Sequence, residues 1–346
     1  MAWRFIRYFF IFLLLFGSLA TAGAAWFYYN WLNTPLQLDE RAFILNIPAN
    51  SNLIQVSSEL GLSGYLRYPR LLVLHARLTD SEHIQAGEYS LQQGDTPAEL
   101  LQLLTSGEVV QHRVSLIEGW TSAEMLQQLQ GDPRLQNDLQ NATADQLPQL
   151  LNLDVEHHEG WFYPDTYQFV RGERLSSLLR RAHQRMQDVL AEEWLARGFG
   201  VPYESPYEAL IMASIVEKET GVPYERGAIA GVFVRRLQQG MRLQTDPTVI
   251  YGLGDRYDGN ITRAHLREAT PWNTYVIRGL PPTPIANPGR AAIHAALNPE
   301  PGSALFFVAR GDGSHVFSDT LEQHEAAVRQ FQIEQRAEDY QSAPQL

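Results

Sequence analysis

The stretch Ser205–Tyr251, SPYEALIMASIVEKETGVPYERGAIAGVFVRRLQQGMRLQTDPTVIY, carries the reading of this chain. Its first part predicts a helix with marked ends. Ser205 can cap it, Pro206 fits the first turn, and Glu208 completes a capping box. Gly221 and Pro223 stop it. The helix is almost wholly apolar, yet Glu217 stands near its end. Leu210, Ala213 and Ser214 precede Glu217 by seven, four and three residues, so they share its face. Burial disfavours the charge of such an acid, and so does the negative end of the helix dipole. Both effects raise its pKa toward the range a general acid needs. The plainer reading is a buried ion pair with Arg235, Arg236 or Arg242. Glu219 sits roughly 200° around the helix and reads as structural or supporting.

A second helix is expected from about Glu225 to Gln239. Gln244-Thr245-Asp246-Pro247-Thr248 then reads as a polar turn before the apolar Val249-Ile250-Tyr251. Asp246 can bond its own backbone before Pro247. In the sharper reading, Gln244 and Thr245 line a polar cleft near Glu217. Trp272-Asn273-Thr274-Tyr275 adds amides, hydroxyls and ring faces, which suit sugars with their hydroxyl edges and apolar faces. Gln244, Thr245, Asp246, Tyr251, Asn273 and Tyr275 are therefore the candidate substrate contacts, with Asp246 a weak second carboxylate. Ordinary glycosidases use two carboxylates, and only Glu217 emerges strongly here.

Composition narrows the field. The chain has 346 residues and a formal net charge of −12, which argues against a nucleic-acid partner. It has no cysteine, so disulfides and thiolate metal sites are excluded. The ten histidines are scattered, His157-His158 being the one adjacent pair. No HExxH spacing, P-loop, dinucleotide fingerprint or GxSxG elbow occurs, so neither a metal nor a cofactor is expected.

The N-terminus supplies the second strong signal. Arg4 and Arg7 precede an uncharged run from Phe9 to Tyr29, which matches the ~20 residues that span a bilayer. The two arginines place the N-terminus in the cytoplasm, and Trp26, Phe27, Tyr28 and Tyr29 form an interfacial belt. Ala20-Thr21-Ala22 and Ala22-Gly23-Ala24 fit a signal-peptide cleavage pattern. The belt continues past both sites, which favours an uncleaved anchor.

The expected organisation is residues 1–8 in the cytoplasm, a span at 9–29, a connector at 30–42 and a small α+β module at 43–110. A larger mixed α+β domain at 111–335 and a polar tail at 336–346 follow. Capping boxes open helices at Thr96 and Thr121. Glu159–Phe169, EGWFYPDTYQF, is dense in aromatics, and Leu175–Arg197 reads as a long helix. Gly279–Gly289, GLPPTPIANPG, is a Pro/Gly loop. The fold class is α+β.

IMASIVEKET, the run through RLQQGMRLQTDPTVIYGLG, EGWFYPDTY, WNTYVIRGLPPTPIANPG and FFVARGDGSHVFS occur in this order. Together they closely resemble the endolytic murein transglycosylase (YceG-like) family, from the N-terminal anchor to about residue 335. The resemblance implies a single-span inner-membrane protein with its bulk in the periplasm. The small module would be LysM-like. The family's catalytic acid is the first glutamate of IVEKE, Glu217 here. The implied reaction splits the MurNAc–GlcNAc β-1,4 bond of nascent peptidoglycan without water and leaves 1,6-anhydroMurNAc ends. One carboxylate suffices for it. Such an enzyme would terminate or release strands near penicillin-binding protein synthases. Thr283 departs from the family, which usually has glycine there; threonine resists positive φ, so a different local loop path is expected. A hydrolytic muramidase using Glu217 with Asp246, and a non-enzymatic peptidoglycan-binding scaffold that recruits synthases, are the alternatives.

Overall fold

The computed structural model describes residues 2–39, 41–48 and 50–334. The tail expected at 336–346 lies outside them. The chain forms two compact units, one reaching to His112 and including Val170–Gly172, the other taking Arg113–Phe169 and everything from Glu173 onward. Both mix helices with short antiparallel or two-stranded pairings, so the fold class is α+β.

In the first unit, helix α1 (Ala2–Leu32) leads into β1 (Ala42–Ile47), α2 (Leu53–Leu62), α3 (Pro69–Leu78), β2 (Gly87–Gln92) and α4 (Pro97–Ser106). Strands β1 and β2 pair antiparallel, Ala42 opposite Gln92 and Ile47 opposite Gly87. Helix α1 is long and apolar enough to cross a membrane. It extends past the expected end at Tyr29 for a physical reason. Trp31 is buried and donates from its indole to the Arg67 carbonyl at 2.6 Å, while the Tyr28 hydroxyl meets His75 at 2.5 Å. The last turn of α1 thus joins the core made by Leu45, Leu60, Leu72, Tyr89 and Leu100. The capping box at Thr96 and Glu99 forms as expected.

The second unit contains β3 (His112–Ser115) from its second residue on, then α5 (Ser122–Gln130), α6 (Leu147–Leu151), β4 (Thr166–Phe169) and α7 (Leu175–Leu195). Helices α8 (Pro206–Glu219), α9 (Arg226–Gln238), α10 (Asp246–Leu253) and α11 (Arg290–Leu297) follow. Strands β5 (Phe306–Ala309) and β6 (His315–Ser318) and helix α12 (Leu321–Val328) complete it. β3 pairs with β4, and β5 with β6. Helix α8 is central. Every residue from Ala209 to Val216 is buried, as an all-round apolar helix requires. It packs on α7, α9, α10 and α11. Each large side chain so buried stabilises by about 1.5–3 kcal/mol.

Two local expectations change. Ser205 caps α8 by accepting from the Glu208 backbone, but the Glu208 carboxylate accepts from the Glu204 N–H at 2.7 Å, so the box is only half formed. Asp246–Leu253 is a helix rather than a turn and an apolar run. Thr245 is its extended N-cap and Pro247 sits in the first turn, where proline's missing N–H costs nothing.

Candidate functional site

The Glu217 face of α8 is a docking edge for the Pro/Gly loop. One turn before Glu217, the Ser214 hydroxyl accepts the Ile285 N–H at 3.0 Å. At Glu217 itself, Oε2 accepts the Gly289 N–H at 2.9 Å. Ser214 and Glu217 are three residues apart and therefore neighbours on the helix surface. Between these contacts lies Asn287, fully buried. Its backbone pairs both ways with the β3–α5 loop: Gly119 N–H to the Asn287 carbonyl at 2.9 Å, Asn287 N–H to the Trp120 carbonyl at 2.8 Å. Lys218 adds a third tie, donating to the Gly119 carbonyl at 3.2 Å.

The Glu217 side chain is only 6% exposed, and the Arg226 guanidinium stands 3.5 Å from Oε1. Arg226 replaces the arginines expected as partners. Arg235 and Arg236 instead donate to the backbone carbonyls of Ala304 and Leu305. Arg226 opens α9, where a cation opposes the helix dipole, and its Nε is buried without a hydrogen-bond partner. Burial raises the Glu217 pKa above the ordinary carboxylate value. The Gly289 N–H opposes that shift, the Glu118 carboxylate reinforces it, and Arg226 opposes it.

Glu219, on the other side of α8, borders a different environment. A cleft of about 1120 Å³ is lined there by Lys218, Glu219, Arg236, Gln244, Asp246 and Tyr275, among others. Burial raises Glu219 to about 7, opposed by the hydroxyl of Thr245, which donates to it. Gln244 holds φ 53°, a left-handed backbone that non-glycine residues seldom adopt. Asp246 does not turn onto its own backbone; it accepts the Tyr275 hydroxyl at 2.6 Å.

The candidate contacts therefore divide. Gln244, Asp246 and Tyr275 line the cleft beside Glu219 rather than gathering at Glu217. Thr245 is buried and bonds Glu219. Asn273 is buried, its amide donating to the His265 and Glu268 carbonyls and its oxygen accepting from the Tyr275 N–H. Tyr251 reaches the Glu159 carboxylate at 3.4 Å. The last three hold the framework.

Two carboxylates were missed by sequence reasoning. Glu159, 1% exposed, accepts from the Ser122 N–H at 2.8 Å, the Ser122 hydroxyl at 3.0 Å and the Asn287 amide at 3.2 Å. Burial raises it to about 7 against those bonds. Glu118 lies beside Gly289 and Glu217. Each belongs to an Glu-Gly dipeptide, Glu118-Gly119 and Glu159-Gly160, with positive φ at the glycine. Those dipeptides were the available signal. Thr283 has no positive φ; its hydroxyl instead accepts the Trp272 indole N–H at 2.9 Å.

Asp145, His157 and His158 bring donor atoms within 4.8 Å of one another. They do not form a good cation site. The imidazoles stack at 4.4 Å and 26°, so their in-plane lone pairs do not converge. His158 already pairs with Asp145 at 2.9 Å, and His157 Nδ1 accepts the Glu159 N–H.

The YceG-like family matches residues 45–330. A protein of Bacillus subtilis named endolytic murein transglycosylase is 28% identical over 328 residues, covering 89% of this chain and 90% of that one. One of the same name from Streptococcus pneumoniae is 27% identical over 93% of this chain and 65% of its own length. The crystal structure of a yceG-like protein from Listeria monocytogenes is 27% identical, with a TM-score of 0.51, covering 83% of this chain and 99% of that one.

Proposed function

Because this chain belongs to the YceG-like family, we propose that it is an endolytic lytic transglycosylase of peptidoglycan, with Glu217 as its acid and base. The relatives carry that activity in their names. The observation that carries the assignment to Glu217 is its burial on α8 with the Gly289 N–H on one oxygen. Burial keeps the proton on the carboxyl, and the N–H supports the carboxylate once the proton has left. The same group can thus give and retrieve a proton.

In the proposed reaction Glu217 gives its proton to the oxygen leaving MurNAc C1. The C1–O bond breaks and an oxocarbenium-like state develops on the sugar. The Glu217 carboxylate then takes the proton of the C6 hydroxyl, whose oxygen bonds to C1. The product is a 1,6-anhydroMurNAc end, and the acid is regenerated. The internal hydroxyl has a high effective concentration, so no protein nucleophile is needed. Helix α1 would anchor the enzyme in the inner membrane with its N-terminus in the cytoplasm and the remainder in the periplasm. Residues 43–110 would act as a LysM-like module beside a catalytic domain at 111–335. Strand termination near penicillin-binding protein synthases is the role this arrangement serves.

The test is mass spectrometry of uncrosslinked nascent glycan digested by the full chain. Anhydro ends are expected. Reducing MurNAc ends, heavier by one water, would establish a hydrolytic muramidase, and no cleavage would leave a binding scaffold. Glu217→Gln should abolish release while the fold persists. Glu219→Gln should retain it, since a protonated Glu219 resembles glutamine; loss there with retention in Glu217→Gln would move the acid to Glu219.

A further inference from the structure

We propose that Glu118 is the second carboxylate of this site, a positioning residue that acts through Glu217 by holding a negative charge beside it. The proposal rests on Glu217 being the proton donor. Its geometric basis is Gly289. A Cβ built on Gly289 would lie 2.0 Å from Glu118 Oε1 and 2.4 Å from its carboxyl carbon. The Glu118 carboxylate therefore occupies the space a side chain would take, against the residue whose N–H binds Glu217 Oε2. The next residue, Gly119, lies against the Glu217 stem, an added Cβ there falling 3.7 Å from Glu217 Cγ.

Glu118 is held in register from both sides, by Gly119 N–H on Asn287 and by Lys218 on the Gly119 carbonyl. It is exposed, whereas the Glu217 side chain is enclosed. The charged groups around Glu217 are Glu118 from the β3–α5 loop, Arg226 from α9 and Lys218 on α8 itself. The Lys218 ammonium is turned to the Gly119 carbonyl, and Arg290 is turned away to Glu192 and Glu193. Glu118 is thus the anion that offsets Arg226. Without it, burial alone would oppose Arg226 and the Gly289 N–H, and the Glu217 pKa would fall.

Glu118→Gln removes the charge and keeps the shape. In the full chain the alkaline limb of the pH–rate profile should move to lower pH, with a several-fold loss of kcat on the alkaline side and recovery in acid. Gly289→Ala should act in the same direction. Its φ of −79° suits alanine, and the new methyl displaces the flexible end of Glu118. Carbon-13 NMR titration of the Glu217 carboxyl, assigned by Glu217→Gln, reads the coupling without catalysis. A lower midpoint in Glu118→Gln supports the proposal even if no glycan is cleaved. An unchanged midpoint, or a loss of rate equal at all pH values, overturns it. Anhydro release by Glu217→Gln would instead overturn the functional reading alone.

Discussion

The Gly289 N–H and the Glu217 carboxylate meet at 2.9 Å, joining the end of a Pro/Gly loop to the last turn of an apolar helix. The contact sets two properties together. It fixes the orientation of the carboxyl, and it weighs against the burial that protonates it. The loop can deliver this N–H only because its path is fixed upstream at Ser214 and Asn287.

Arg226 pulls on Glu217 in the direction opposite to burial. Arg226→Gln should raise the Glu217 pKa further, because a cation that favours the carboxylate is gone. The alkaline limb of the pH–rate profile should move to higher pH, with a several-fold gain over wild type on the alkaline side. A limb that stays in place would mean that Arg226 does not face Glu217 in solution.

Asn287 is the keystone of the loop. Its amide nitrogen donates to Trp120, Ser122 and Glu159, and its oxygen accepts the Phe162 N–H at 2.9 Å. Asn287→Ala strands a buried N–H and removes a donor from a buried carboxylate. A loss of about 2–4 kcal/mol is expected in denaturant unfolding. Activity should fall as well, since Gly289 loses its anchor.

Glu159 gives a stability prediction with a defined sign. Its pKa rises from 4.5 to about 7 on burial, so between those values the folded chain binds more protons than the unfolded one. Stability is therefore highest below pH 4.5 as far as this group is concerned, and it falls as pH rises toward 7. The full effect is about 3 kcal/mol. Glu159→Gln can still accept from Ser122 and Asn287 and should flatten that slope. Denaturant midpoints measured across the interval decide it; a slope unchanged by the substitution would place the titration elsewhere.

The end of α1 constrains any soluble form. A chain starting at Ala25 keeps Tyr28 and Trp31 in their core contacts and should leave the membrane fraction folded. A chain starting at Asn33 loses the buried Trp31 and should unfold more easily in its first unit, by about 3–5 kcal/mol. Equal melting of the two forms would show that Trp31 contributes little.

Much of the fold is readable along the chain because local signals and local structure agree there. Helices α4, α5 and α8 begin where their capping residues place them, and α7 and α9 run close to their expected ranges. The start of helix α10 is ambiguous in the sequence, because Thr-Asp-Pro serves equally as a turn and as a helix start. Only the neighbours Thr274 and Glu219, which engage Thr245, settle the choice. Which polar residues line a cleft is not legible in the sequence for a similar reason. Polarity marks a side chain that needs partners, but Asn273 and Thr245 find theirs inside the protein.

The sequence by itself determined the α+β class, the family, the apolar N-terminal helix and an acid, Glu217, placed where ionisation is costly. These follow from periodicity, capping and motif order, which are properties of residues near one another in the chain. Tertiary structure alone decided what surrounds that acid. Arg226, Gly289 and Glu118 reach it from three separate segments, and the pKa of a buried carboxyl depends on charges and dipoles within a few ångströms, whatever their distance along the chain.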